Sequence, residues 1–272
     1  MTRANIIRFA MRDNWRSCRY WAKRPHNDFT ESGYMVVPGF LDPAECERIR
    51  RLADAHMPGP SHVVSGNCYT CVKSESTHGR NSSVRELLNA NEIDEGLADL
   101  LSSDQIQDMF SKYLGERLEL IGFGIQLDEV DTTSKRGFHV DKLYPPLFKA
   151  FIYLNDVDEL GDGPYTFVEG SHRWWFRKFL NDVINAVTVG ARRDMLYFVP
   201  ERSVRTVLAP AGTLILSTQD AIHKGWGNHW RKPRHALIGY GVRADNYNGQ
   251  PLSEGREFVE ARQRASKSQS AA

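Results

Sequence analysis

Gly137-Phe-His-Val-Asp141 sets a histidine and an aspartate two residues apart in a short β-like run. Successive side chains of a strand point to opposite faces, so His139 and Asp141 share one. An imidazole and a carboxylate on one face are two corners of a metal site. A histidine from a distant strand would complete the two-histidine, one-carboxylate facial triad of non-haem Fe(II) oxygenases. His223 is the candidate for that third corner. A His-x-Asp pair alone is common in strands, so its meaning rests on what surrounds it.

Outward from this pair, short β-rich runs cover 118–127, 146–154, 165–168, 204–208, 213–217 and 234–242, with Asp162-Gly163 as a tight-turn signal. A helical excursion over 174–187 interrupts them. The N-terminal half reads as helices over 3–24, 84–101 and 104–114, and another over 42–56 with Asp42, Pro43 and Glu45 at its N-cap, N1 and N3 positions. A short strand is expected at 34–37. Helices first and strands afterwards, without alternation, predict a mainly β fold. The architecture expected is a double-stranded β-helix of jelly-roll, cupin-like form with helical support on one side.

A chain of 272 residues, 41% hydrophobic and 25% charged, can bury a sizeable core as one domain. The expected organisation is an N-terminal basic amphipathic helix over 1–28, a domain over 29–250 and a polar tail over 251–272. A net charge of +1 gives no general attraction to nucleic acid. The four cysteines, Cys18, Cys46, Cys68 and Cys71, are too few for a disulfide framework, and no signal-like apolar run opens the chain. A cytoplasmic protein is the expectation. Cys68 and Cys71, with His62 and His78 on either side, make a zinc site conceivable. The histidine spacing is unusual, and small apolar side chains in a loop are the better reading.

Two other stretches invite a functional reading. In 3–24, Ile7, Met11, Trp15, Cys18 and Ala22 form one helical stripe, and Arg8, Arg12, Arg16, Arg19 and Lys23 form a basic one beside it. Such a helix either packs on the domain with its arginines reaching water, or makes peripheral contact with a membrane or an acidic partner. The stretch 60–83 lacks periodicity, as a substrate-contacting loop or a disordered one would.

His223 follows the run 213–217 and precedes Arg234 by eleven residues. An arginine entering from that next strand could pair bidentately with the far carboxylate of a dicarboxylate cosubstrate. His229, with Arg243, is the rival choice. His235 adjoins Arg234 and points the other way.

At this point the chain resembles the phytanoyl-CoA dioxygenase family of Fe(II)/2-oxoglutarate oxygenases. The resemblance rests on Phe29-Thr-Glu-Ser-Gly-Tyr-Met-Val-Val-Pro-Gly-Phe-Leu41, His139-Val-Asp141, and Gly163-Pro-Tyr-Thr-Phe-Val-Glu-Gly-Ser-His172. His223, Asn228 and Arg234 follow the run Gly212-Thr-Leu-Ile-Leu216. It implies a double-stranded β-helix with Fe(II) on His139, Asp141 and His223, and 2-oxoglutarate held by Arg234. Gln126 falls where related enzymes place a polar side chain on the cosubstrate, and Tyr153 could reach the same pocket. His172 is expected to serve the turn Gly170-Ser171-His172, and Trp174, Trp175, Trp226 and Trp230 either wall the pocket or simply pack.

The implied reaction uses dioxygen and 2-oxoglutarate to oxidise a C–H bond of a small-molecule or lipid-like substrate. The carboxylate at position 141, replaced by a small residue in related halogenases, favours hydroxylation. Arg173, Arg192 and Arg193 hint at an anionic substrate. A non-catalytic jelly-roll binding protein, or a membrane-peripheral protein using its N-terminal helix, is the alternative.

Overall fold

The computed structural model describes residues 2–72, 84–130, 137–141, 144–188, 196, 198–225 and 232–243. Its centre is an eight-stranded antiparallel sheet. In spatial order the strands are β1 (Tyr34–Val37), β9 (Leu214–Thr218), β6 (Phe148–Tyr153), β11 (Arg234–Arg243), β5 (Leu118–Asp128), β4 (Val84–Leu88), β3 (Cys68–Val72) and β2 (Val63–Ser65). A three-stranded sheet lies over one face, ordered β10 (His223–Gly225), β7 (Tyr165–Val168) and β8 (Val204–Thr206).

The central strands are apolar on both faces because both are covered. On β6, Phe148, Ala150 and Ile152 turn outward and join Ile125, Leu214, Leu216 and Leu237 beneath the helices. Phe151 and Tyr153 turn inward and pack with Tyr165, Phe167, Ile215, Ala236 and Ile238 between the two sheets. The expected jelly roll is therefore present, with its helical layer on one side only.

The outer layer contains α2 (Asp28–Ser32), α3 (Pro43–His56), α4 (Glu95–Leu101) and α5 (Asp104–Leu114). Asp42 caps α3 by accepting from the Ala44 N–H at 2.7 Å. Glu45, expected to close a capping box, instead pairs with Arg48 at 2.7 Å. Cys46, Ile49 and Ala53 are the buried stripe of α3. The chain returns beside β1 through a close crossing in which Leu41 N–H donates to Gly212 O at 3.0 Å. At Gly212 φ is +80°, and a Cβ would lie 2.0 Å from Leu41 O, so no other residue fits there.

Two stretches differ from the sequence expectation. The helix expected over 84–101 is a strand, β4, followed by the short α4, because β4 is enclosed between β3 and β5 and cross-strand pairing overrides propensity there. The expected loop over 60–83 begins as the β2–β3 hairpin, which extends the large sheet; 73–83 lies outside the described residues. Cys68 and Cys71, three apart on β3, face opposite ways, Cys68 into the helix-covered core and Cys71 against Tyr69 and Leu88. Neither is in a disulfide, and His62 Nδ1 is bound to Pro60 O at 2.9 Å, so the conceivable zinc site is not assembled from these residues. His78 is outside the described residues.

The first helix, α1 (Arg3–Trp21), packs beside α6 (Trp175–Thr188). It buries Ile6, Ala10, Asn14, Ser17, Tyr20 and Trp21, not the stripe that includes Met11 and Trp15. Among the described residues, no helix is long and apolar enough to cross a membrane.

Candidate metal centre

His139 and His223 exchange both backbone hydrogen bonds, His139 N–H to His223 O at 3.0 Å and His223 N–H to His139 O at 2.9 Å. The predicted strand at 137–141 is thus a single antiparallel bridge that extends the small sheet beyond β10. Asp141 N–H donates to Gln219 O at 3.0 Å and fixes the third residue of the motif. His139 Nδ1 lies 2.8 Å from Gly137 O, and His223 Nδ1 lies 2.9 Å from Ala221 O.

A carbonyl oxygen can only accept, so each Nδ1 is a donor, and Nε2 is the ring nitrogen left to serve as a metal ligand. Both Nε2 atoms meet at Asp141, His139 Nε2 at 3.5 Å from Oδ1 and His223 Nε2 at 3.4 Å from Oδ2. The three ligand atoms lie within 4.8 Å of one another. Burial alone would raise the Asp141 carboxyl, but His223, Lys149 and His139 outweigh it and hold it well below the usual carboxylate range.

The segment leading to His223 is braced from two sides. Ser171 Oγ accepts from Ile222 N–H at 2.7 Å. The neighbouring His172 reaches Thr30 O through Nε2 at 2.9 Å, beside Gly33, and stacks edgewise on Trp21. His172 thus ties the turn to α2, and burial pushes its pKa down to about 4. From the other side, Ser17 Oγ and Trp21 Nε1 of α1 each donate to Asp220 Oδ2 at 2.7 Å, and Thr218 Oγ1 donates to its other oxygen at 2.5 Å.

Arg234 is buried on β11, directly opposite Asp128 on β5. Its two terminal nitrogens are engaged, one by Asp128 Oδ2 and one by Gly163 O, and its Nε has no partner among the described residues. Gln126 donates to Asp128 Oδ1 at 2.8 Å, so Gln126, Asp128 and Arg234 form one polar chain on the inner face. Tyr153 is buried on that face, but its hydroxyl is spent on backbone: it donates to Val207 O at 3.1 Å and accepts from Tyr165 N–H at 2.8 Å. That hydroxyl ties the two sheets together and offers no open donor to a ligand.

Three residues near the triad escaped the sequence reading. Lys149 is buried with its amine 4.0 Å from Asp141 Oδ2, over the rings of Tyr165 at 5.4 Å and Tyr240 at 5.0 Å. Tyr165 stands edge-on to the His223 ring at 5.5 Å. Gln219, fully buried, donates to Ser217 Oγ at 3.1 Å and leaves its Oε1 without a partner among the described residues. A lysine within the apolar run of β6 was the one available signal, since a cation inside a two-sided core strand needs a counter-charge.

Residues 29–236 match the family model for phytanoyl-CoA dioxygenase (PhyH). The chain belongs to the phytanoyl-CoA dioxygenase family. No curated protein matches it. Among solved structures, HygX from Streptomyces hygroscopicus with nickel and 2-oxoglutarate bound is similar at 17% identity and a TM-score of 0.55, over 79% of this chain and 85% of that one. The epimerase SnoN from nogalamycin biosynthesis, in complex with Fe3+, alpha ketoglutarate and nogalamycin RO, is similar at 19% identity and a TM-score of 0.56, over 89% and 97%. EvdO2 from Micromonospora carbonacea var. aurantiaca, complexed with 2-oxoglutarate, gives 15% identity and a TM-score of 0.57, over 83% and 92%.

Phytanoyl-CoA dioxygenases use Fe(II), 2-oxoglutarate and dioxygen, and this chain is an enzyme of that type. The residues present fit the group. Two neutral imidazole Nε2 atoms and one carboxylate are the donor set that non-haem Fe(II) takes, and the unpartnered Nε of Arg234 is a buried donor awaiting an acceptor. His229, Asn228, Trp226, Trp230, Arg192 and Arg193 lie outside the described residues.

Proposed function

We propose that the chain is an Fe(II)- and 2-oxoglutarate-dependent dioxygenase that hydroxylates a C–H bond of a small-molecule or lipid-like substrate. His139, Asp141 and His223 are its metal ligands and Arg234 anchors the cosubstrate. The observation that carries the reading is the pair of Nδ1-to-carbonyl hydrogen bonds, which turns both Nε2 atoms toward one carboxylate. When bound, the metal with 2-oxoglutarate and dioxygen would supply the oxidation, with 2-oxoglutarate leaving as succinate and carbon dioxide.

The protein's own contribution is placement and charge. Gly137 O and Ala221 O hold the ring tautomers, as the partners of metal-bound histidines commonly do. Lys149 and Asp141 already balance each other, as do Arg234 and Asp128. A divalent cation and a dianionic cosubstrate together would therefore add no net charge, whereas either alone would leave two charges uncompensated. In this reading Lys149 offsets the cosubstrate's charge beside Asp141, while the Nε edge of Arg234 receives its far carboxylate.

The test is oxygen-dependent succinate release by protein loaded anaerobically with Fe(II), with a pooled metabolite extract as the substrate source. His139→Ala, Asp141→Ala and His223→Ala are each expected to lose Fe(II) retention and succinate formation together. Full retention of iron and activity in His223→Ala, with loss in His229→Ala, would move the third ligand. Lys149→Met is expected to weaken 2-oxoglutarate binding to the Fe(II) protein by about tenfold or more without weakening Fe(II) binding on its own.

A further inference from the structure

Helix α6 is inside out. Its buried residues are Lys178, Asn181, Asp182, Asn185 and Ala186, four of them polar or charged. This packing is specific: Lys178 Nζ donates to His172 O at 2.8 Å and to Asp220 O at 3.1 Å, and Asn14 Nδ2 of α1 donates to Asp182 Oδ2 at 3.2 Å. The apolar side of the helix faces outward, with Phe176 at 58%, Leu180 at 46% and Val187 at 56% exposure. Residues four and seven apart share a helix face, so these three make one stripe.

That stripe does not end at α6. Trp175 meets Trp15 of α1 at 6.4 Å and Phe176 at 5.6 Å between ring centroids. Trp15 and Met11, at 53% and 56% exposure, carry the apolar surface along α1. Here the two sequence readings of the N-terminal helix part company. The stripe that would have packed on the domain is the one facing away from it, and Asn14 and Ser17 take the inner face.

An outward apolar ridge across two helices calls for an occupant, and charge says which kind. The first 24 residues carry seven basic side chains against one acid, Asp13, in a chain whose net charge is only +1. Two of these cations lie over aromatic rings, Arg12, which also pairs with Asp13 at 3.0 Å, over Phe9 at 4.7 Å, and Arg16 over the half-exposed Tyr144 at 5.7 Å. Tryptophan, phenylalanine and leucine rimmed by arginine suit the boundary between acyl chains and anionic headgroups.

We propose that the α1–α6 face docks the enzyme on an anionic lipid surface, the apolar ridge entering the headgroup boundary and the α1 arginines pairing with lipid phosphates. Tyr144 lies three residues after Asp141, so the docked face borders the segment that carries a site ligand. The full chain is sedimented with phosphatidylcholine vesicles containing about one third phosphatidylglycerol, and with pure phosphatidylcholine vesicles. Pelleting with the anionic vesicles alone, reversed by high salt, is expected.

Arg12→Glu with Arg16→Glu should weaken partition by about 30-fold or more. Phe176→Asp with Leu180→Asp, both at exposed positions, should abolish it while the far-ultraviolet circular dichroism and thermal midpoint stay those of the parent. Equal pelleting with both vesicle types, or parental binding by folded charge-reversed protein, overturns the proposal. So does a dimer in light scattering that Phe176→Asp with Leu180→Asp dissociates while anionic vesicles bind no protein, because the ridge then belongs to a second copy.

Discussion

Arg234 enters the interior already holding a carboxylate, and this sharpens what its substitution should do. Replacing it with leucine leaves the buried Asp128 carboxylate without its guanidinium, at a cost of roughly 3 to 5 kcal/mol in stability, and removes the proposed anchor for 2-oxoglutarate. Asp128→Asn separates these two effects. The amide oxygen still accepts from the guanidinium, but the resident negative charge that competes with an incoming carboxylate is gone. Asp128→Asn is expected to melt at a lower temperature without ligand and to bind 2-oxoglutarate about three- to tenfold more tightly to its anaerobic Fe(II) form. A titration midpoint equal to the parent's in both Asp128→Asn and Arg234→Leu would remove Arg234 from the cosubstrate site. As candidates, His139, Asp141 and Arg234 were legible in the sequence because motif spacing and order single them out. Asp128 and Lys149 were not, because an acid and a lysine on strands read as ordinary outward polar positions until pairing sets them opposite Arg234 and near Asp141.

The elements show where local rules prevail and where they yield. Helices α3 and α5 were readable from their apolar spacing and their stops, and the central strands of the core from runs that are apolar on both faces. Val84-Arg-Glu-Leu-Leu88 was misread as helix because five residues fit either period, and only the neighbours β3 and β5 decide between them. In α1 the apolar stripe was correctly seen and its direction was not, since the inner face is chosen by Asp220, a carboxylate 199 and 203 residues away from its partners Trp21 and Ser17. That pairing makes α1 part of the fold's stability. Ser17→Ala should cost roughly 1.5 to 3 kcal/mol in urea unfolding, because it withdraws a donor from a buried charge. Deleting 1–24 should cost more and weaken Fe(II) retention as well, because Asp220 lies three residues before His223. A deletion variant as stable as the full chain would reduce α1 to a surface appendage.

For the whole molecule, stability is expected to fall with acid in a particular window. His172 is fully buried, its Nε2 proton is given to Thr30 O, and its Nδ1 has no partner among the described residues. Its folded pKa is depressed by burial to about 4 from an ordinary value of 6.5. The stability it contributes is therefore complete above pH 6.5 and is lost as pH falls toward 4, by on the order of 3 kcal/mol. His172→Gln, which removes the titration, should flatten the thermal midpoint between those limits; an unchanged slope would place the acid sensitivity elsewhere.

The bridge between His139 and His223 carries a different consequence. Their two backbone hydrogen bonds fix the spacing of the histidines through the main chain, and carbonyl oxygens orient both rings, so the pairing itself does not depend on the side chains that line the pocket. Pocket walls can then change in the course of evolution without disturbing that pair, so long as the brace from α1 through Asp220 is kept. A lineage built this way is free to acquire new substrates while inheriting the same pair of histidines.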